Sequence, residues 1–217
     1  MTEPIAATRT IEVYADIVCP FTHVGLHRMF DLRDEVRPDV AIEVHAWPLE
    51  LVNGEPVARD DLVEEVVALR SGVAPELFGG FNPDGFPMSS LPALALAARA
   101  YRGGVRTGEE VSRAIRDALF ERGRDLRDTD ELAAIGRQTG VGEPEAVDRA
   151  AVLADLETGR ARGVVGSPHF FVGDASFFCP TLDIERVGGR LEISFDPEGF
   201  ADFMRRSLGM PDDRAGR

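Results

Sequence analysis

The run Asp16-Ile17-Val18-Cys19-Pro20-Phe21-Thr22-His23-Val24-Gly25 puts a cysteine where one hydrophobic periodicity gives way to another. Upstream, Ile11, Val13, Ala15 and Ile17 alternate with Glu12, Tyr14 and Asp16, the period-two pattern of a strand with one face more buried than the other. Downstream, Pro20 suits the first turn of a helix, where its missing N–H has no partner to lose, and apolar Val24, Met29 and Phe30 recur as far as Val36. Cys19 thus stands at a strand-to-helix junction, where a helix N-terminus favours thiolate, the reactive form. A redox pair would have its second cysteine at position 22, and Thr22 holds that place.

Working outward, Pro38-Asp39 makes a turn and Val40, Ile42, Val44 and Ala46 alternate until Trp47-Pro48 ends the run. The result is a strand-helix-strand unit, for which parallel pairing is the default. From residue 58 to 162 helical spacing takes over. Leu62, Val63, Val66, Val67 and Leu69 form one stripe, followed by a Gly- and Pro-rich loop from Ser71 to Pro87. Further helices are expected from Ser90 to Tyr101, after a Thr107/Glu110 capping box, from Asp128, and from Pro144 to Gly163. Strand character returns in His169-Phe170-Phe171-Val172, a Gly173-Asp174 turn, Ser176-Phe177-Phe178 and Leu191 to Phe195, before a last helix over 197–208. The Phe170-Phe171 and Phe177-Phe178 pairs read as sheet core.

Composition narrows the function. A net charge of −14 repels phosphate backbones and anionic membrane surfaces, so neither nucleic acid nor membrane is an expected partner. All the basic residues are arginine, which excludes a Schiff-base lysine and a P-loop lysine together. Without a charged-then-apolar leader or a run of the roughly 20 apolar residues a spanning helix needs, the expected location is cytoplasmic. Two cysteines, Cys19 and Cys179, are too few for a disulfide framework, and each alone also fits a small buried hydrophobe.

Four stretches together resemble the DsbA-like thiol-disulfide oxidoreductases, in particular the cytoplasmic FrnE-like branch that borders kappa-class glutathione transferases and 2-hydroxychromene-2-carboxylate isomerases. They are Asp16 to Thr22, similar to that family's active-site loop; Glu157 to Pro168, similar to the approach to its proline; Leu91 to Thr139, similar to its inserted helices; and Trp47-Pro48-Leu49. The resemblance implies an α/β thioredoxin-like fold with an inserted α-helical domain: residues 1–57 and 163–217 as the two parts of the thioredoxin-like domain, and 58–162 as the insertion. It also implies a cis bond at Ser167-Pro168 facing Cys19.

On that resemblance Cys19 and Thr22 are the catalytic candidates, and Pro20, Phe21, Ser167, Pro168 and His169 would contact substrate. The function implied is a DsbA/FrnE-like thiol-disulfide oxidoreductase with a monothiol Cys-Pro-Phe-Thr site, working through a Cys19 mixed disulfide. No bound cofactor is implied, and a low-molecular-weight thiol would be the co-substrate. Two rivals stay open: a thiol-dependent isomerase or transferase of the kappa-class type, and a non-catalytic thioredoxin-fold binding protein. The chain departs from the family's dithiol members at Thr22, which cannot resolve a mixed disulfide. It also carries what looks like an extra hairpin between Leu182 and Phe195, turning at Gly188-Gly189. Monomer and homodimer are both compatible.

Cys19, His23 and His27 fall at i, i+4 and i+8, a spacing able to chelate zinc, but a cap cysteine points along the helix axis and no fourth ligand is evident. No metal is assigned, and the histidines are expected at the half-exposed surface. His169 faces either the site or the core. Cys179 is a possible second thiol. A two-residue turn at Gly173-Asp174 pairs Pro168 with Cys179. In the implied strand order Cys179 then stands two spacings from the first strand, on the order of 10 Å, beyond the ~7 Å a disulfide tolerates. The pair is expected close and unbridged.

Overall fold

The computed structural model describes residues 9–180 and 182–210, so the outer limits placed at residues 1 and 217 lie outside the described residues. The alternating run forms β1 (Thr10–Ala15), and the proline-led stripe forms α1 (Pro20–Val36). β2 (Ala41–Ala46) returns parallel to β1 in the register Thr10 to Ala41 through Ala15 to Ala46. β3 (His169–Val172) lies antiparallel on the other side of β1, with Tyr14 opposite His169. β4 (Ala175–Phe178) completes the order β2-β1-β3-β4. The hairpin register is the expected one, Val172 to Ala175 through His169 to Phe178, and the Cys179 N–H extends it by donating to Pro168 O at 3.0 Å.

Alternation along β1 sorts its side chains between two layers. Ile11, Val13 and Ala15 pack with Leu26, Met29 and Phe30 of α1, and on the same side lie Phe203 and Met204 of α8 (Pro197–Leu208). Tyr14, on the opposite face, packs with Trp47, Leu156, Val164 and Phe171. Burying each such large apolar side chain contributes about 1.5–3 kcal/mol.

The helical segment contains α2 (Leu49–Asn53), α3 (Arg59–Ser71), α4 (Leu91–Gly103), α5 (Val105–Phe120), α6 (Thr129–Gln138) and α7 (Ala146–Ala161). Its core reaches the end of the sheet: Ile17, Val18, Val24 and Ala46 belong to the same buried cluster as Leu94 and Ile115. A buried ion pair reinforces the join. Arg33 of α1 meets Glu109 of α5 through two bonds of 2.9 and 2.8 Å, and Glu109 also accepts the Ile42 N–H at 2.7 Å.

Three expectations are corrected. Thr107 caps nothing, because α5 restarts at Val105 directly after Gly104 (φ 141°) and Thr107 already lies in its first turn. The capping box belongs instead to α7, between Glu145 and Asp148, so that helix opens after Glu145 and not at Pro144. The short α2 follows Pro48, where only a strand end was expected.

The extra hairpin exists as β5 (Leu182–Val187) and β6 (Arg190–Phe195). Gly188 and Gly189 both have positive φ, 59° and 86°, as a two-residue turn of the primed type needs. Arg186 anchors it to α3 through Glu64, with the shorter bond at 2.7 Å. Among the described residues no helix is long and apolar enough to cross a membrane.

Gly159 of α7 lies so close to the sheet that a Cβ there would stand 2.6 Å from a Trp47 ring carbon and 2.9 Å from one of Tyr14. Gly→Ala in an open helix site is stabilising by up to about 1 kcal/mol. Here overpacking reverses the sign: Gly159→Ala is expected to lower unfolding stability by about 1–3 kcal/mol, read from the urea midpoint, and an unchanged or raised midpoint would show that α7 does not pack this tightly.

Candidate active site

Cys19 is the N-cap of α1, so it occupies the end of β1 and the start of the helix at once. It is only 4% exposed. Its S–H donates to the Ser167 carbonyl at 3.1 Å. The Ser167-Pro168 peptide bond beside it is cis. The Ser167 hydroxyl accepts the Asp16 N–H at 2.9 Å and shares a hydrogen with the Thr22 hydroxyl at 2.7 Å. Thr22 is wholly buried on the first turn of α1.

Burial pushes the Cys19 thiol above its ordinary value, more than the Thr22 hydroxyl, the Thr22 N–H and the Ser167 hydroxyl pull it back. At rest the sulfur is therefore a protonated thiol, the state its bond to a carbonyl oxygen requires. Beneath it lies Arg116 of α5, 1% exposed, which donates to the Asp16 carbonyl at 2.7 Å. Desolvation lowers this guanidinium to about 10, and a Cys19 thiolate would act to stabilise its charge. Two of its donors, Nε and Nη2, have no partner among the described residues. The Asp16 carboxylate, also fully buried and raised by desolvation, accepts the N–H groups of Leu49 at 2.6 Å and Val18 at 3.3 Å.

The thiol opens into a cavity of about 390 Å³. Of the substrate-contact candidates Pro20, Phe21 and Ser167 line it, and the possible second thiol Cys179 borders it too. His169 does not: it is buried, accepts the Val165 N–H at 3.2 Å and stacks on Phe171 at 4.8 Å. Pro168 is buried and is not part of the cavity lining. Phe178, expected in the core, is 53% exposed and forms a wall of the cavity, while Ile184 brings the extra hairpin into it. Cys179 is free and buried like Cys19, with its thiol pushed up to about 12 by burial and by its neighbour. A larger cleft of about 700 Å³ runs between α1, α5 and α6, lined by interleaved arginines and carboxylates, and neither cysteine borders it.

His23 overturns the half-exposed expectation. It is completely buried, its Nε2 bonded to Glu121 at 2.6 Å and its ring against Phe120 at 4.8 Å. Glu121 is held in turn by the Phe78 N–H at 2.8 Å. Among the described residues His23, His27 and Asp117 bring potential metal-ligand atoms within 4.8 Å of one another, without Cys19. Each imidazole is already engaged with a carboxylate, His27 with Asp117 at 2.9 Å.

A family model for the DSBA-like thioredoxin domain matches residues 10–192. The chain belongs to the DSBA-like thioredoxin family. No curated protein matches it by sequence. Among solved structures, this family member is similar in fold to the cytosolic disulfide reductase DsbM from Pseudomonas aeruginosa, at 16% identity and TM-score 0.63, covering 93% of this chain and 100% of that one. The same reductase has also been solved with GSH, at 17% identity and TM-score 0.60, covering 92% and 97%. A probable DsbA oxidoreductase from Streptomyces coelicolor shares 15% identity at TM-score 0.66, covering 94% and 92%. A 2-hydroxychromene-2-carboxylate isomerase shares 15% identity at TM-score 0.59, covering 78% and 88%.

Sequence reading missed the charged groups that this DSBA-like thioredoxin chain places around its thiol. Arg116 had a signal. It follows Ile115 and precedes Leu119 by three, inside the apolar stripe of α5, where an arginine must find internal partners. Asp16 had none beyond its place on a buried strand, and Glu65, which borders the cavity from α3, reads in sequence as a solvated helix face.

Two outcomes follow from these bonds. Thr22→Val keeps the shape and deletes the hydroxyl, so stability should fall by about 1 kcal/mol. The Cys19 titration should also move up, measured as a slower iodoacetamide reaction at fixed pH, and an equal rate in both proteins would remove Thr22 from the site.

Burial holds the His23 imidazole below its ordinary value against the pull of Glu121. Below about pH 6.5 the unfolded chain takes up a proton at position 23 that the native one refuses, so stability should drop as pH falls, by up to ~1.4 kcal/mol per pH unit. His23→Gln should flatten that slope between about pH 6.5 and 5 in urea titrations. A slope unchanged by the substitution would assign the acid sensitivity elsewhere.

Proposed function

We propose that this protein is a thiol-disulfide exchange enzyme with the monothiol site Cys19-Pro20-Phe21-Thr22, acting in a reducing, cytoplasmic setting on small disulfides. The observation that carries this reading is the placement of Cys19: a free thiol at the N-cap position of a helix, lining a cavity, against the carbonyl that precedes a cis-proline. The family model and the disulfide-reductase and oxidoreductase neighbours support it.

Cys19 gives its proton to solvent and its thiolate attacks one sulfur of R–S–S–R. A bond forms between Sγ and that sulfur while the R–S–S–R bond breaks, and the second sulfur leaves as a thiolate that is protonated to R–SH. A second small thiol then attacks the mixed disulfide, returns Cys19 and departs as a new disulfide. Thr22 donates to the sulfur as it becomes charged, and Ser167 presents backbone to the incoming compound.

A second reading rests on the Thr22–Ser167 hydroxyl pair at 2.7 Å. Those hydroxyls can orient the sulfur of a bound thiol for attack on an electrophile, the thiol-dependent isomerase or transferase chemistry that the isomerase neighbour suggests. Turnover that requires added thiol and survives alkylation of Cys19 would favour it.

Incubation with 2-hydroxyethyl disulfide tests the first reading by intact-mass and peptide mass spectrometry. The expected result is one adduct, on Cys19, removed by added thiol, absent from Cys19→Ser and retained in Cys179→Ser. Its rate should keep climbing above pH 8.5, because the buried thiol ionises later than a free one. A wild-type protein left unmodified across that range would overturn the proposal and leave a binding module.

A further inference from the structure

The cavity over Cys19 carries charge of one sign. Beside the two thiols, every ionisable side chain lining it among the described residues is acidic: Glu55 ahead of α3, Asp61 in the first turn of α3, and Glu65 one turn on. Asp61 and Glu65 stand at i and i+4, so both carboxylates fall on one face of the helix. The chain has no lysine to offset them.

The nearby arginines are committed elsewhere. Arg186 of β5 is bound to Glu64 at 2.7 Å, and Arg59 is paired with Asp84. Arg116 lies on the inner side of the sulfur, donating to the backbone of residues 16 and 17. The positive ends of α1 and α3 both open here; Cys19 stands at the N-cap position of the first, with no acidic residue in that first turn, while Asp60 and Asp61 already occupy the first turn of the second.

We propose, building on the reading of Cys19 as an exchange nucleophile, that this acidic rim makes the site select ammonium-bearing and uncharged small thiols and disulfides over anionic ones, with Asp61 and Glu65 as the residues that set the preference. The rest of the lining fits such a ligand. Val18, Pro20, Phe21, Leu49, Phe178 and Ile184 offer apolar surface for a short carbon chain, and no cation is present to receive a carboxylate. A glutathione-like molecule, with two carboxylates and one ammonium group, meets net repulsion here.

Glu65 also makes the preference depend on pH. Burial first, then Asp61 and Glu64 on its own helix, raise it to about 7, with Arg186 from β5 pulling the other way. Cys19 from α1 faces it, and the charged carboxylate acts to raise the thiol in return. Discrimination should therefore sharpen as pH rises from 6 to 8 and Glu65 ionises.

Three disulfides of similar size and different charge test this: cystamine, 2-hydroxyethyl disulfide and 3,3′-dithiodipropionate. Rates of Cys19 adduct formation are followed by mass spectrometry at low ionic strength, each divided by the rate of the same reagent with free 2-mercaptoethanol to remove intrinsic reactivity. The expected order is cationic, neutral, anionic, with a spread between the ends of at least roughly tenfold at pH 8. The spread should narrow at pH 6, in about 0.5 M salt, and in Asp61→Asn/Glu65→Gln, or in Asp61→Asn alone should the double variant fold poorly. Equal normalised rates, a reversed order, or a spread that survives both carboxylate substitutions would overturn the selectivity while leaving exchange at Cys19 intact. Failure of all three reagents to modify Cys19 would instead overturn the exchange reading and this inference with it.

Discussion

The Ser167 hydroxyl takes the Asp16 N–H at 2.9 Å and lies 2.7 Å from the Thr22 hydroxyl, while its carbonyl receives the Cys19 S–H at 3.1 Å. One residue thus fastens the end of β1, the cap of α1 and the loop entering β3, segments about 150 residues apart in the chain. Each partner is buried, so losing any one leaves an unpaired polar group away from water, which costs more than the bond itself contributes. That asymmetry fixes the local geometry. The cis bond at Pro168, the aim of the thiol and the register of β3 against β1 all depend on the same few atoms.

Around this centre the chain buries charge that would be costly without internal partners. Asp16 survives because two backbone N–H groups reach its carboxylate. Arg116 survives because the Asp16 and Ile17 carbonyls accept from it, although two of its donors find no partner among the described residues. Arg33 and Glu109 form the best satisfied pair, bidentate and tied to the Ile42 N–H and the Val40 carbonyl. Replacing such ion pairs with apolar residues is often neutral or stabilising elsewhere, so what they contribute here is position. Glu109 and Arg116 both come from α5, so the helical segment places the charges that the end of β1 and the start of β2 are built around.

The fold was legible because its determinants are periodic and local. Alternation over Ile11 to Ile17, proline at the start of α1 and the Gly173-Asp174 turn each act through neighbours a few residues away. The turn alone correctly paired Pro168 with Cys179. Errors came where distant packing decides. His23 looks like a surface residue until Phe78 and Phe120 close over it. Thr107 looks like a cap until α5 starts two residues sooner. Phe178 looks like core until β4 proves to be the edge of the sheet. For the site, Cys19, Thr22 and Ser167 could be found from position and resemblance, whereas the acidic rim could not. It arises only when α3 folds back over the end of α1.

A thiol raised by burial changes what the site favours under the proposed exchange chemistry. Fewer molecules are thiolate at neutral pH, but each thiolate is the stronger nucleophile, since nucleophilicity rises with pKa. The same property makes Cys19 a poor leaving group once it is joined to a small thiol. Attack on the mixed disulfide is then biased away from expelling Cys19, and Thr22 offers no neighbouring sulfur to force the issue. What would restore Cys19 as a leaving group is the donor set already in place: the Thr22 hydroxyl and N–H, the helix start, and Arg116 beneath. In the resting thiol, burial outweighs those donors. In the mixed disulfide the S–H bond to the Ser167 carbonyl is gone, and the same donors are free to receive the charge as the sulfur departs.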